Sequence, residues 1–116
     1  MVSRARAIGD LAEQRALEHL LEAGLELIGR NVASPLGEID LVMSDRGQWV
    51  FIEVRARASA GFGGAAASVT RSKQSRLRRQ AQAILKARFG DSPWPPCRFD
   101  VCALDAGHIN WIKDAF

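Results

Sequence analysis

The sequence predicts one α/β domain, in which a mixed β-sheet is flanked by helices in the order αβββαββ. Residues 37–57 contain two runs of alternating apolar residues around a short turn, which is the pattern of a β-hairpin. Helical patterns precede and follow this hairpin, and a long helical crossover places the next strand parallel to one strand of the hairpin. A chain of 116 residues is large enough for one core. We therefore expect residues 1–116 to form a single domain.

The first helix is predicted to run from Ser3, a favourable N-cap, to Gly24, the residue type that most often ends a helix. Small and apolar residues recur on one face of this helix, and Glu13 lies in the middle of that face. Burying an unpaired carboxylate is costly. We therefore expect Glu13 to form a salt bridge, to reach solvent at the rim, or to belong to a functional site. A short strand is predicted next, at residues 25–32.

The hairpin places two acidic residues near each other. Alternation puts Asp40 on one face of the first strand and its neighbours Ile39 and Leu41 on the other. A two-residue turn at 46–47 sets Asp40 directly opposite Glu53 on the second strand, whereas a bulged three-residue turn shifts the pairing by one. Carboxylates that face each other across paired strands repel. A divalent cation is the simplest compensation, so this pair indicates a metal site.

A loop, a second helix and two strands complete the predicted order. Residues 56–68 are rich in glycine, alanine and serine and lack periodicity, so we expect a loop beside the Glu53 end of the hairpin. Thr70 is predicted to cap a helix that continues to about Phe89. The last two strands are predicted at residues 98–104 and 108–112.

Charge is distributed unevenly along the chain, whose net charge is +3. Residues 1–54 carry five basic and nine acidic side chains, whereas residues 55–90 carry nine basic side chains and no acidic one. A basic helix face is often merely solvated, but a solvated face usually mixes both signs. The acid-free stretch therefore indicates a polyanionic partner. The side chains that we expect to contact nucleic acid are Arg57, Arg71, Lys73, Gln74, Arg78 and Arg79.

Several classes of protein do not fit the sequence. It contains no apolar run of 18 residues that would span a membrane, and the N-terminus lacks the apolar segment of a secretory signal. The two cysteines, Cys97 and Cys102, have no second pair to complete a zinc site, so we expect reduced thiols in a cytoplasmic protein. The glycine-rich segment has no Gly-Lys-Ser/Thr sequence and is not a nucleotide phosphate loop.

The residues of the hairpin resemble a known family. The sequences Gly-Glu-Ile-Asp-Leu at 37–41 and Phe-Ile-Glu-Val-Arg-Ala-Arg at 51–57 are similar to the motif of the small bacterial YraN-type family of endonuclease-like proteins. The resemblance extends over nearly the whole chain, from Glu13 to Phe116. This family looks like a compact member of the PD-(D/E)xK nuclease superfamily and is close in pattern to archaeal Holliday-junction resolvases. The resemblance implies a restriction-endonuclease-like fold and a phosphodiesterase site that uses Mg²⁺ or Mn²⁺.

The resemblance also implies roles for individual residues. Asp40 matches the metal-binding aspartate of the superfamily, Glu53 matches the acidic residue of its (D/E)xK pattern, and Glu13 matches a further metal-site carboxylate from the first helix of resolvase-like members. Gln74 falls near the polar residue that such enzymes often present from the following helix. Arg55 stands where the pattern has lysine, and we expect it to be catalytic together with Asp40 and Glu53. An arginine is not deprotonated in proteins, so Arg55 cannot act as general base, but it can stabilise charge on the phosphorane or hold the attacking water.

These expectations describe a nucleic-acid-binding protein with a magnesium-dependent, endonuclease-like site that acts on branched or otherwise irregular nucleic acid, with DNA favoured over RNA. Resolvases are dimers, so a homodimer is compatible with this interpretation. Two alternatives remain open. The first is a nucleic-acid-binding module that keeps the fold without turnover, and the second is a domain whose basic helix binds an acidic protein.

Overall fold

The computed structural model describes residues 4–57 and 64–116 and confirms the predicted order of elements. Two predictions, the N-cap at Ser3 and the central part of the loop at 58–63, lie outside the described residues. The elements are α1 (Arg4–Glu22), β1 (Glu26–Ser34), β2 (Gly37–Asp45), β3 (Gln48–Arg57), a 3₁₀ turn (Ala66–Ser68), α2 (Arg71–Phe89), β4 (Cys97–Asp105) and β5 (His108–Ile112).

The five strands form one mixed sheet in the order β1-β2-β3-β4-β5. β3 and β4 run parallel, and the other neighbouring strands are antiparallel. A parallel pair needs a long crossover connection, and α2 is that connection. The mixed sheet and the parallel fourth strand are therefore confirmed.

The two helices cover opposite faces of the sheet and bury two apolar clusters. Each fully buried aliphatic or aromatic side chain contributes about 1.5–3 kcal/mol to the free energy of folding. The cluster that includes α1 consists mainly of Ala16, Leu17, Leu20, Leu41, Met43, Val50 and Ile52. The cluster that includes α2 consists mainly of Ile39, Val42, Phe51, Leu77, Ala81, Leu85 and Val101.

The predicted helix boundaries at Gly24 and Thr70 are confirmed. Gly24 follows α1 with a φ of 99°, a conformation that favours glycine because it has no Cβ. The Thr70 Oγ1 accepts a hydrogen bond from the Lys73 backbone N–H at 3.3 Å and so caps α2. None of the described helices is long and apolar enough to span a bilayer.

The turn of the hairpin contains two residues, as the first of the two predicted alternatives requires. Arg46 and Gly47 have φ values of 55° and 86°, and the flanking residues Asp45 and Gln48 pair with each other. Two successive left-handed residues are the geometry of a type I′ turn, which matches the twist of the flanking strands. The turn therefore fixes the register in which β2 and β3 pair.

Strand β2 departs from regular alternation at Asp40. Ile39 packs in the cluster that includes α2, whereas Leu41 packs in the cluster that includes α1. The prediction that these two residues share a face is therefore wrong. On the neighbouring strand, Asn31 has a φ of 48° and lies between the residues that pair with Leu41 and Ile39. A left-handed residue inside a strand breaks the pleat, and the prediction had assumed an unbroken period of two.

Candidate functional site

Asp40 lies where β2 and β3 separate. The ladder between these strands begins at Asp45 and Gln48 and ends at Leu41 and Ile52. Beyond that end, Asp40 Oδ2 accepts a hydrogen bond from the Val54 backbone N–H at 2.8 Å. Burial raises the pKa of Asp40, and the Val54 N–H is the largest opposing influence. A carboxylate thus takes the place of a strand carbonyl and is held in one orientation beside β3.

Glu53 is the acidic residue that the sequence places opposite Asp40. Burial is the main cause that raises the pKa of Glu53 to about 7, and the charge of Asp40 is the next. Arg55, Lys73 and Arg76 oppose the shift, and the Arg55 Nη1 lies 3.6 Å from Glu53 Oε1. The two carboxylates are therefore close enough to repel, and the surroundings of Glu53 favour its protonated form.

Glu13 is a buried acidic residue on α1, with 8% of its surface exposed. Burial is the largest influence that raises the pKa of Glu13, and the negative charge of Asp40 raises it further. The Arg30 Nε lies 3.8 Å from Glu13 Oε1, and this oxygen has no hydrogen-bond partner. Arg30 also donates a hydrogen bond to Gln14 Oε1 at 2.9 Å. The salt bridge that the sequence allowed is thus present, but it is long and leaves a buried carboxylate oxygen without a hydrogen bond.

The three acidic residues have oxygen donors of the kind that hard divalent cations prefer. Asp40 and Glu53 repel, and the buried Glu13 Oε1 has no hydrogen bond, so a cation would stabilise each of them. Within residues 4–57 and 64–116, however, no three His, Cys, Asp or Glu side chains are grouped so that they could hold a metal ion. The geometry therefore favours Asp40 and Glu53 as a pair, and Glu13 as a third ligand stays a prediction.

Four basic side chains, which we call the basic cluster, lie beside this acidic pair: Arg55, Arg57, Lys73 and Arg76. Arg55, Lys73 and Arg76 each lower the pKa of Glu53. The pKa of Lys73 is itself lowered, first by burial and then by Arg55, with smaller contributions from Arg57 and Arg76. The charge of Glu53 offsets part of this repulsion, and a further anion would offset more. The cluster is therefore a candidate binding site for an anionic ligand.

Comparison with known proteins places the chain in a family. The model of the uncharacterised protein family UPF0102 matches residues 12–104, a range that includes the acidic pair and the basic cluster. The chain belongs to the UPF0102 family. The YraN-type resemblance of the sequence is confirmed at this level.

Three other UPF0102 proteins illustrate how far the similarity extends. The chain is 51% identical to one from Ralstonia nicotianae over 116 residues, which cover 97% of this chain and 88% of that protein. It is 52% identical to one from Methylibium petroleiphilum over 118 residues, covering 96% and 94% of the two chains. It is 47% identical to one from Shewanella amazonensis over 108 residues, covering 93% and 97%. The similarity therefore spans the whole domain.

The structure of this UPF0102 member separates the side chains that were expected to contact nucleic acid. Arg57 and Lys73 belong to the basic cluster. Gln74 instead donates from its Nε2 to the Val69 carbonyl at 3.1 Å, and the Arg78 guanidinium lies over the Phe116 ring, 5.5 Å from its centre. Two others are exposed on α2: Arg71 and Arg79.

Two residues of the UPF0102 site were not among the candidates from the sequence. Arg76 belongs to the basic cluster, and its position three residues after Lys73, on the same side of a helix, was a signal that could have identified it. Ser68 accepts a hydrogen bond from Arg55 Nε at 2.8 Å. No pattern in the sequence points to Ser68, because this contact depends on how the segment before α2 folds back onto β3.

Proposed function

We propose that this UPF0102 protein binds nucleic acid and hydrolyses phosphodiester bonds with the help of Mg²⁺ or Mn²⁺, as a compact member of the PD-(D/E)xK superfamily with a restriction-endonuclease-like fold. One observation carries the proposal. Two mutually repelling carboxylates, Asp40 and Glu53, lie beside a cluster of four basic side chains. Acidic groups that hold a cation, next to basic groups that hold a phosphate, are what metal-assisted phosphodiester hydrolysis uses.

Asp40 and Glu53 are the residues that would hold the ion, with Glu13 as the candidate for a third ligand. A bound divalent cation supplies Lewis acidity and lowers the pKa of its water. The Val54 N–H fixes the orientation of Asp40 at 2.8 Å before any ligand arrives. Glu53 has a pKa of about 7 and must lose its proton to serve as a ligand. Asp40 is thus oriented before the ion binds, whereas Glu53 remains in equilibrium between its protonated and deprotonated forms.

The basic cluster would bind the phosphate groups of the substrate. Contacts to phosphate position a nucleic acid but do not read its sequence, so we expect the protein to act without strong sequence preference. Arg55 lies 3.6 Å from Glu53 and is the cation nearest to the proposed reaction. Its guanidinium stays charged and would stabilise the charge that develops on the phosphorane.

The choice of substrate and compartment rests on other observations. Branched or otherwise irregular DNA, in preference to RNA, follows from the resemblance to Holliday-junction resolvases. A cytoplasmic location is supported by the two cysteines, since both Cys97 and Cys102 are free thiols and thiols persist in reducing compartments.

The test is a cleavage assay with Mn²⁺ on branched, nicked and linear DNA. We expect the wild type to cleave at least one substrate. Asp40→Asn and Glu53→Gln should each abolish cleavage, while DNA affinity in chelator survives because the phosphate contacts are made by the basic cluster and not by the two carboxylates. The exposed Asp91→Asn variant serves as the matched control and should keep full activity. A wild type that cleaves none of the substrates in Mn²⁺ contradicts the catalytic part of the proposal.

The second candidate function is a nucleic-acid-binding module without turnover. Arg55 occupies the position where the superfamily pattern has lysine, and the described residues contain no three-ligand metal group. Such a module would bind DNA with the same salt dependence in chelator and in Mn²⁺. The Arg55→Lys variant separates the two candidates, because restoring the lysine should raise cleavage by an intact site and leave a binding module unchanged.

A further inference from the structure

We propose that Ser68 is a positioning residue of this site, which holds Arg55 and Lys73 side by side so that both cations meet the same phosphate of the substrate. The inference rests on the proposed function. It adds the residue that holds two side chains of the basic cluster in place. The ligand between the two cations is a phosphodiester group of a nucleic acid.

The contacts of Ser68 connect it to both cations. Its Oγ accepts a hydrogen bond from Arg55 Nε at 2.8 Å and donates one to the Ala65 carbonyl at 2.6 Å. Its backbone carbonyl accepts a hydrogen bond from Lys73 Nζ at 3.1 Å. One residue thus fixes a side chain of β3 through its hydroxyl and a side chain of α2 through its main chain.

The segment that carries Ser68 is itself anchored. The Ala65 N–H donates to Asp105 Oδ1 at 2.7 Å, which ties the segment to the end of β4, and the Ala65 side chain is fully buried. A Cβ on Gly64, whose φ is 72°, would lie 2.9 Å from Asp105 Oδ2. The segment therefore lies against the Asp105 carboxylate, and this contact anchors the residues that precede Ser68.

The arrangement brings two positive charges together, and this has a cost. Burial and the charge of Arg55 both lower the pKa of Lys73. A guanidinium has five N–H donors, of which Nε is engaged by Ser68 and Nη1 lies near Glu53. Donors therefore remain for a further acceptor. A phosphate oxygen between Arg55 and Lys73 would remove the repulsion, because charge-assisted hydrogen bonds to phosphate are the strong ones.

The hydroxyl and the carbonyl of Ser68 can be tested separately. Ser68→Ala removes the two hydroxyl contacts, with Arg55 and with the Ala65 carbonyl, and leaves the carbonyl contact with Lys73 in place. We expect kcat for Mn²⁺-dependent DNA cleavage to fall on the order of tenfold, the effect of removing one hydrogen bond to a charged group. Ser68→Thr keeps the hydroxyl and should restore most of the rate. Ser75→Ala, at an exposed serine of α2, is the matched control and should change nothing.

A double-mutant cycle then shows whether Ser68 acts through Arg55. In an Arg55→Ala background, Ser68→Ala should have no further effect on kcat, since the side chain that it positions is absent. Equal losses in the two backgrounds would overturn the inference while leaving the proposed function intact. An unchanged kcat in Ser68→Ala, with cleavage by the wild type, would do the same.

The same variants separate this inference from the proposed function. Absence of cleavage by the wild type contradicts the catalytic proposal, and the cycle is then measured on DNA affinity in chelator. There, Ser68→Ala should weaken binding, and the effect should disappear in the Arg55→Ala background. Absence of both cleavage and DNA binding in the wild type overturns both ideas. Melting temperatures of all variants show whether any loss reflects unfolding, and Ser68→Thr keeps the test decisive if Ser68→Ala does not fold.

Discussion

Glu53 is a carboxylate whose surroundings favour its neutral form. Its pKa of about 7 is raised from a value of 4.5, chiefly by burial. The folded protein therefore binds this proton more tightly than the unfolded chain does. Between about pH 4.5 and 7 the native state holds more protons, so the Glu53 contribution to the free energy of unfolding falls as the pH rises. A cation that binds ionised Glu53 reverses this loss of stability.

The first prediction concerns this proton. The stabilisation of the protein by millimolar Mn²⁺, measured as a melting shift, should increase from pH 6 to pH 8, because the ion must displace the Glu53 proton. A hundredfold excess of ion over its Kd adds about 2.7 kcal/mol. Glu53→Gln should abolish the shift at every pH, whereas Glu26→Gln, at an exposed position of β1, should leave it intact. A melting shift that does not vary with pH would show that Glu53 is not a ligand.

α2 separates its basic side chains onto different sides of the helix. Lys73 and Arg76 act on the charge of Glu53, whereas Arg78 lies over Phe116, which packs in the cluster that includes α2. The separation follows from the helical repeat, since residues 73 and 76 share a side that residue 78 does not. The basic side chains of α2 therefore form two groups. Lys73 and Arg76 lie on the side of Glu53, and Arg78 lies on another side.

The second prediction compares these two groups in charge-matched variants. The double variant Lys73→Ala/Arg76→Ala should bind DNA more weakly than Arg78→Ala/Arg79→Ala. Its plot of log affinity against log salt should flatten by roughly 0.9 for each phosphate of a B-form duplex that the variant no longer neutralises. Binding measured in chelator between 50 and 200 mM salt, roughly the range over which phosphate binding weakens, provides the comparison. Equal affinities of the two variants would mean that the whole helix face, and not the basic cluster, binds the nucleic acid.

The helices and strands were largely predictable from the sequence. The break in the alternation of β2 at Asp40 was not. Thr70 was predictable as a cap, and the two-residue turn at Arg46–Gly47 was one of the two predicted alternatives, because both depend on local chemistry. The change of face at Ile39 was missed, since it depends on the left-handed Asn31 of the neighbouring strand. Ser68 was missed for the same reason: its contact with Arg55 joins residues that only the folded chain brings together.

At the scale of the whole molecule, a buried Asp100 ties the far end of the chain to the sheet. Asp100 is completely buried on β4. Its Oδ2 accepts from Trp111 Nε1 at 2.9 Å, and its Oδ1 accepts from the Asp114 backbone N–H at 2.9 Å and from Arg98 Nε at 3.0 Å. Arg98 in turn donates to Asp45 beside the hairpin turn at 2.9 Å. One network therefore connects β4, β5, the C-terminal residues and the hairpin.

The third prediction follows from this network. Asp100→Ala should lower the free energy of unfolding by about 3–5 kcal/mol, because it leaves Arg98 Nε, the Trp111 Nε1–H and the Asp114 backbone N–H without their acceptor. Urea denaturation with Asp91→Ala as the exposed control measures the loss. At a temperature where the variant is folded, its DNA affinity should equal that of the wild type, since the network is remote from the basic cluster. A loss of less than about 1 kcal/mol would show that the network contributes little.

The irregular β1 has a further consequence for the protein in solution. β1 and β5 are the two edges of the sheet, and an exposed edge is a template on which another chain can aggregate. β5 is only five residues long. β1 shifts register between Leu27 and Gly29 and contains the left-handed Asn31, and such irregularities disfavour pairing with a straight foreign strand. The break opposite Asp40 thus gives this edge a feature that sheet proteins use against edge-to-edge aggregation.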